Sequence, residues 1–329
     1  MTNGTILIGG PTASGKSKLA LDLAEALEES GGATIINADS MQVYSDLRIV
    51  TDRPSADDES RVPHALYGVL AGDDVYSAGR WRRVAVDAMG AAHEQGRTAI
   101  VVGGTGLYLR ALTQGLSDIP DIPDAIRRDA RATMEDKGPE QFHRELAGAD
   151  PKAATAIPVG DTQRSIRAWE VWQATGRSLV DWQSDPPEDA EIPGQVAKIV
   201  VMPDRPDVYA RAEARVAQMV DGGVLDEIRA LEALKLPADL PAMRAVGVPE
   251  FLGVVRGDRS LSDAIVQVAQ ASRRFAKRQY TWFRHQTPDW QVFAPGLAGG
   301  EGSTIAQQSE RFFDEVFPYV RQNLLTKKS

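Results

Sequence analysis

The segment Thr5-Ile-Leu-Ile-Gly9 is almost wholly apolar and runs straight into a glycine-rich turn, the pattern of a short strand buried on both faces. After the turn the period changes. Ala20, Leu23, Ala24 and Leu27 recur at i, i+3, i+4 and i+7, which predicts a helix over residues 17–27 with one apolar face; Gly31 and Gly32 punctuate its end. The runs Ala33-Thr-Ile-Ile-Asn37 and Thr98-Ala-Ile-Val-Val102 predict two further buried strands, the second reached through a helical stretch around residues 81–94. Strands alternating with helices imply an α/β core, a parallel sheet with helices on both faces.

The pattern shifts after Leu116. Pro120 and Pro123 with their acidic neighbours read as a loop, and helical stretches follow with no convincing strand until Lys198. The clearest predicts a helix over 162–175, capped by Asp161 or Thr162 and stopped by Gly176. A proline- and acid-rich segment over 185–193 closes this region, and Lys198-Ile-Val-Val-Met202 reads as a strand again. The expected organisation is a first part of the core over 1–118, an all-helical insertion over 119–196, and the rest of the core with C-terminal helices over 197–329. Helices dominate from Val208 onward, and residues 296–303 read as a linker before a last helix.

Composition narrows the class. A chain of 329 residues can bury a sizeable core as one large or two medium domains. It has no cysteine, which excludes disulfides, and with four histidines as the only other soft ligands no structural zinc site is expected. No stretch approaches the roughly 18 apolar residues that cross a bilayer, and the first residues lack the basic start of a secretory signal, so no membrane partner and a cytoplasmic location are expected. The net charge of −9 argues against a nucleic-acid partner. The charge is uneven, however: residues 273–284 hold five basic side chains and no acid, and such a patch can override the average.

The segment Gly10-Pro11-Thr12-Ala13-Ser14-Gly15-Lys16-Ser17 fits G-x-x-x-x-G-K-[ST] at every position and stands between a strand and an amphipathic helix, as that motif requires. Its glycines let the backbone curl so that successive N–H groups face one point, where the helix N-terminus adds partial positive charge. Lys16 supplies a full charge to phosphate oxygens, and the Ser17 hydroxyl is placed to ligate Mg²⁺. The core is therefore expected to be P-loop NTPase-like, binding a diphosphate whose identity the motif leaves open. An ordinary P-loop ATPase places an acid at the end of a neighbouring strand. Here the strand over 98–102 runs instead into Gly103-Gly-Thr105-Gly106. The acid is Asp39, just beyond the second strand, where ligands of parallel sheets collect. It is a candidate general base, with turn-former or metal ligand equally open on position alone.

Seven blocks, in order, resemble the tRNA dimethylallyltransferase family. They are Gly10–Ser17; Asn37-Ala-Asp-Ser40 with Gln42-Val-Tyr44; Val102-Gly-Gly-Thr-Gly-Leu-Tyr108; Asp161-Thr-Gln-Arg164 with Arg167-Ala-Trp-Glu170; Pro203-Asp-Arg205; Met243-Arg-Ala-Val-Gly247; and Ala276-Lys-Arg-Gln-Tyr-Thr-Trp-Phe-Arg284. The resemblance implies transfer of a dimethylallyl group from dimethylallyl diphosphate to the exocyclic amine of the adenosine beside the anticodon, with Mg²⁺ as cofactor. It implies that Lys16 grips the leaving diphosphate, that Asp39 takes the amine's proton, and that Thr105 bonds the diphosphate near the breaking bond. Arg244 by resemblance also reaches the diphosphate, against the plainer reading of a surface salt bridge.

The tRNA contacts implied are Asp39, Ser40, Met41, Gln42, Thr105, Arg127, and Gln163, Arg164, Ser165, Ile166 and Arg167. Gln163 and Arg167, four apart, share a helix face. Lys277, Arg278 and Arg284 would meet phosphates, with Trp282 or Tyr280 stacking; a solvated helix face is the plainer reading of that run. His64 is expected to be structural, and Trp169 and Trp172 to be core. The chain departs from the family where members often read Gly-Thr-Ala-Lys-Pro and it has Val50-Thr-Asp-Arg-Pro54, Arg53 keeping the basic charge. The zinc finger of some eukaryotic members is absent, which suits a bacterial-type enzyme; a monomer is the default expectation. A P-loop small-molecule or nucleotide kinase is the rival from another reaction class. A free-nucleotide isopentenyltransferase would share the chemistry without an RNA-gripping insertion.

Overall fold

The computed structural model describes residues 4–185, 192, 194–295 and 305–324. Its strands are β1 (Gly4–Gly9), β2 (Ala33–Asn37), β3 (His64–Ala65), β4 (Thr98–Gly103), β5 (Gln195–Val201) and β6 (Gln291–Phe293). They form one sheet in the order β3-β2-β4-β1-β5-β6, and every pairing is parallel. Four helices precede the middle of the chain: α1 (Lys16–Ala26), α2 (Ala56–Arg61), α3 (Ala78–Glu94) and α4 (Gly106–Gln114). Next come α5 (Asp124–Ala149), α6 (Pro151–Ala156), α7 (Thr162–Thr175) and α8 (Leu179–Ser184). The last are α9 (Arg205–Asp221), α10 (Val224–Ala233), α11 (Val248–Val255), α12 (Leu261–Gln286) and α13 (Ile305–Leu324).

β1 sits between β4 and β5 and is buried throughout, which is why its sequence is a continuous apolar run and not an alternation. Successive side chains still part to opposite faces. Ile6 and Ile8 pack with Ile35, Ile100, Ile199 and the buried faces of α1 and α13. Leu7 joins Ile36, Val101, Val200, Trp81 of α3, Leu109 of α4 and Phe283 of α12 on the other. A separate cluster ties residues 43–50 to α9, α10, α11 and the first half of α12.

Two strands escape the hydrophobic pattern. β3 and β6 span two and three residues, too short to display a period. β5 begins at Gln195, ahead of the expected Lys198, and α3 begins at Ala78 because Ser77 caps it by accepting from Arg80 N–H. The segment over 185–193, apart from Asp185, Ile192 and Gly194 just after it, and the expected linker over 296–303 lie outside the described residues. No described helix is long and apolar enough to cross a membrane.

The chain divides into two compact units, Met1–Leu112 with Ile192–Ser329, and Thr113–Glu191. The second unit's described elements are helical and have a core of their own, with Ile122, Leu146, Ala153, Ile157, Ala168, Val171 and Leu179 buried together. α5 is broken at Gly138 (φ 72, ψ 168), and Pro139 starts its second segment, a position that needs no N–H. Asp161 caps α7 by accepting from Arg164 N–H, and Gly176 ends it in the left-handed conformation. Trp169 packs on this core beside Phe142, ring centroids 5.6 Å apart. Trp172, expected inside, is only half-buried and stands outside that cluster.

Candidate active site

β1 delivers the chain into the loop over 10–15, where Ala13 (φ 60) and Gly15 (φ 90) both take the left-handed conformation. Left-handed residues beside right-handed ones turn N–H groups toward one side, a concave anion nest; here Thr12 N–H is spent on Gln279 Oε1 and Ser14 N–H on Pro11 O, which leaves those of Ala13 and Gly15. The N-terminus of α1 has no side-chain cap, so its first N–H groups remain unspent. The Ser14 hydroxyl is buried with no hydrogen-bond partner among the described residues. Lys16 curls back over the loop, its Nζ donating to Pro11 O at 3.3 Å. Burial holds the Lys16 ammonium below its ordinary pKa; the Asp39 carboxylate pushes it up and the Arg215 guanidinium down. Ser17 is exposed on the first turn of α1.

Asp39 faces this loop from the end of β2. Asn37, fully buried as the last residue of β2, fixes it: Asn37 Oδ1 accepts from Asp39 N–H (2.8 Å), and Nδ2 donates to Asp39 O and Leu66 O (3.0 Å each). Asp39 Oδ1 accepts from Met41 N–H at 3.0 Å, so the residue shapes its turn. Asp39 Oδ2 makes no hydrogen bond to another described residue.

The next loop is stapled to this one. Thr105 N–H donates to Ala38 O (3.2 Å), and Thr105 Oγ1 accepts from Ser40 N–H (2.9 Å) while donating to Ser40 Oγ (3.2 Å). The two backbones approach so closely that a Cβ on Gly103 would stand 2.1 Å from the Ala38 carbonyl; only glycine fits. Gln42 turns away to hold the 51–52 carbonyls, donating from Nε2 to Thr51 O and Asp52 O. The lone acid of that departing segment, Asp52, pairs with Arg215 at 3.1 Å, and Arg211 one turn earlier on α9 donates to Ala13 O at 3.4 Å. His64 is structural: its Nδ1 lies 2.7 Å from Val62 O and its ring meets Tyr67 edge-on. Burial, aided by the Asp39 charge, raises the Tyr67 pKa, keeping that phenol a neutral donor.

α12 closes the site from outside the sheet. Its buried face runs through Ala276, Gln279, Tyr280 and Phe283, at helical spacing. Gln279 binds both loops, accepting from Thr12 N–H and donating to Gly104 O. Tyr280 is turned inward, its hydroxyl donating to Pro203 O and its pKa pushed up to about 12 chiefly by burial, so it offers no face for stacking. Trp282 is half-buried with its ring against Gly106. Lys277, Arg278 and Arg284 are exposed, whereas Arg273 of the same run is paired with Glu213. Arg244 ends a 3₁₀ turn over Ala242–Arg244, exposed, with no ion-pair partner among the described residues, which removes the salt-bridge reading.

The second unit carries the remaining expected residues. Gln163 and Arg164 are exposed on the first turn of α7, and half-buried Arg167 lies 3.4 Å from Glu170. Ser165 is 1% exposed and faces the unit's interior, so its place on a binding surface is withdrawn. Ile166 is half-buried, and Arg127 donates from Nε to Ile122 O at 3.2 Å. Asn37, Arg211, Arg215 and Gln279 were missed from sequence. Gln279 had a signal: a polar residue on the apolar stripe of α12.

Residues 42–286 match the family model described as IPP transferase, and residues 3–67 match one described as isopentenyl transferase. A tRNA dimethylallyltransferase of Rhodospirillum centenum is 49% identical over 90% of this chain and 93% of its own. That of Paramagnetospirillum magneticum is 44% identical over 98% and 97%. Among solved structures, the full-length tRNA isopentenylpyrophosphate transferase of Bacillus halodurans aligns with a TM-score of 0.66 at 29% identity, covering 98% of each chain. A eukaryotic dimethylallyltransferase solved acting on tRNA shares the fold, with a TM-score of 0.76 over 96% of this chain and 79% of its own at 24% identity. With a family match across most of its length and relatives near half identity, the chain belongs to the tRNA dimethylallyltransferase family.

Proposed function

We propose that this enzyme transfers the dimethylallyl group of dimethylallyl diphosphate to the N6 amine of the adenosine immediately 3′ of the anticodon. The bond between the allylic C1 and the diphosphate oxygen breaks, N6 bonds to C1, a proton leaves N6, and diphosphate departs. An allylic carbon delocalises the positive charge it acquires, so the protein's main task is to stabilise the departing anion. The nest over 10–15, the free N–H groups of α1, Lys16 and the unpartnered Ser14 hydroxyl supply that stabilisation, with Arg244 as a further cation.

An amine on a purine ring is a weak nucleophile and needs a proton acceptor. Asp39 Oδ2 takes that role, since Oδ1 is committed to Met41 N–H and Asn37 fixes the backbone. Thr105 stands on the loop bonded to that of Asp39 and addresses the oxygen at the breaking bond. The observation that carries the reading is this union of Asp39 and Thr105 beside Lys16, in place of an acid on β4.

Mg²⁺ is the cofactor the chemistry asks for. No group of three acidic or histidine side chains among the described residues would cage it, and the exposed Ser17 offers one hydroxyl. That donor set suits an ion that arrives on phosphate oxygens and keeps its waters. When bound it neutralises diphosphate charge.

The target base must leave its stack to reach the donor. The helical unit over 113–191, through Arg127, Gln163, Arg164, Ile166 and Arg167, and α12, through Lys277, Arg278, Arg284 and Trp282, hold the anticodon stem-loop, with Ser40 and Met41 at the base; Gln42, spent on the Thr51 and Asp52 carbonyls, is left out of that set. The enzyme acts in the cytoplasm as a monomer. Single-turnover transfer to an unmodified anticodon stem-loop tests the reading, with Asp39→Ala expected to lose two or more orders of magnitude in rate. Equal rates would remove Asp39 as base. ATP turnover on a small acceptor without any prenyl transfer would point to a kinase.

A further inference from the structure

We infer that Gln279 is a positioning residue that sets the spacing between the diphosphate cradle and the loop carrying Thr105; this rests on the proposed transfer reaction. Its side chain is 6% exposed and bonds at both ends. Oε1 accepts from Thr12 N–H at 2.7 Å, inside the phosphate loop, and Nε2 donates to Gly104 O at 2.9 Å, the residue before Thr105. One carboxamide thus spans the group that holds the leaving anion and the group that addresses the bond being broken. Of the neutral side chains of this length, only an amide does so, since one end must accept and the other donate.

The support behind it is rigid. Tyr280, the next residue, is anchored on Pro203 O, and Phe283, one turn on, packs where a Cβ on Gly9 would stand 2.5 Å from its ring. The bridge also needs Gly104 bare, because a Cβ there would lie 2.4 Å from Gln279 Nε2. Removing the amide frees the two loops to drift apart, and a displacement of about 1 Å between reacting groups can cost on the order of 100-fold in rate.

Gln279→Glu is the informative variant. Ionised, its carboxylate faces the Gly104 carbonyl, oxygen against oxygen; protonated, it is isosteric with the amide and rebuilds both bonds. Burial raises the pKa of such a carboxyl. The expected result is a kcat ratio of Gln279→Glu to wild type that climbs as pH falls from about 8 to 5.5. The other charged or ionisable groups on the surrounding elements, Lys16, Asp39, Arg205, Arg211 and Tyr280, are common to both enzymes, so the ratio reports the group at position 279.

Gln279→Leu is expected to lose on the order of 10- to 100-fold in kcat at every pH, with KM for the stem-loop within about twofold. Calorimetric binding of inorganic pyrophosphate with Mg²⁺ gives a readout without turnover, and its affinity ratio carries the same pH trend through Thr12. A flat ratio in both measurements, or wild-type kcat in Gln279→Leu, overturns the proposal. A wild type that transfers nothing counts against the functional reading, and the pyrophosphate ratio still decides the role of Gln279.

Discussion

At the scale of single residues, the site is a set of charges held under tension. Lys16 is pulled below the lysine value of 10.5 by burial, against the attraction of Asp39. A lysine so depressed is a charge the folded state tolerates at a cost. That cost is full below the depressed value, where both folded and unfolded chains hold the proton. It is relieved as pH rises through the window between the depressed value and 10.5, because the unfolded chain alone then keeps its proton. Lys16→Met is therefore expected to raise the thermal midpoint at pH 7 or leave it unchanged, while weakening pyrophosphate binding at least about tenfold. In the wild type, pyrophosphate affinity is expected to fall with rising pH before 10.5, since the protonated form holds the anion. A calorimetric pH series checks both. A fall that begins only above 10.5 would show that Lys16 is not desolvated.

At the scale of elements, what could be read beforehand followed from locality. The loop over 10–17 is a backbone device whose parts are adjacent in sequence, so strand, nest and helix were legible together. The cap of α7 was legible for the same reason. Asp39 was legible as a position but not as a geometry, because Asn37 and Thr105 hold its loop from the ends of separate strands. Tyr280 and Ser165 were misplaced because the sequence around each offers both a polar and an apolar face, and only tertiary packing decides which is turned inward. β3 and β6 exist by pairing alone. The break in α5 makes its own prediction: Gly138 sits at φ 72, ψ 168, a region essentially closed to other residues, although a Cβ there meets nothing within 4 Å. Gly138→Ala is expected to destabilise by about 1–3 kcal/mol through backbone strain alone. Chemical denaturation measures it, and an unchanged midpoint would mean that the break is soft.

At the scale of the molecule, a net charge of −9 coexists with an exposed basic strip on α12, formed by Lys277, Arg278 and Arg284. A protein repelled by RNA on average and attracted at one strip should bind with a marked salt dependence. Lys277→Ala with Arg278→Ala is expected to weaken stem-loop binding and to lower the slope of log K against log salt by about 0.7–0.9 for each phosphate that is no longer neutralised. KM for dimethylallyl diphosphate should be unchanged; a shift there would place these side chains at the wrong substrate. The sheet order has a consequence in time. Thr5 of β1 pairs with Ala99 and with Val196, partners about 90 and about 190 residues further along. At ribosomal speeds of about 5–20 residues per second, the central strand is made first and waits roughly 10 to 40 seconds for its second neighbour. Gln279 emerges later still. A nascent chain therefore carries the phosphate loop long before it carries the site, and an apolar strand must be sheltered until the rest of the message is read.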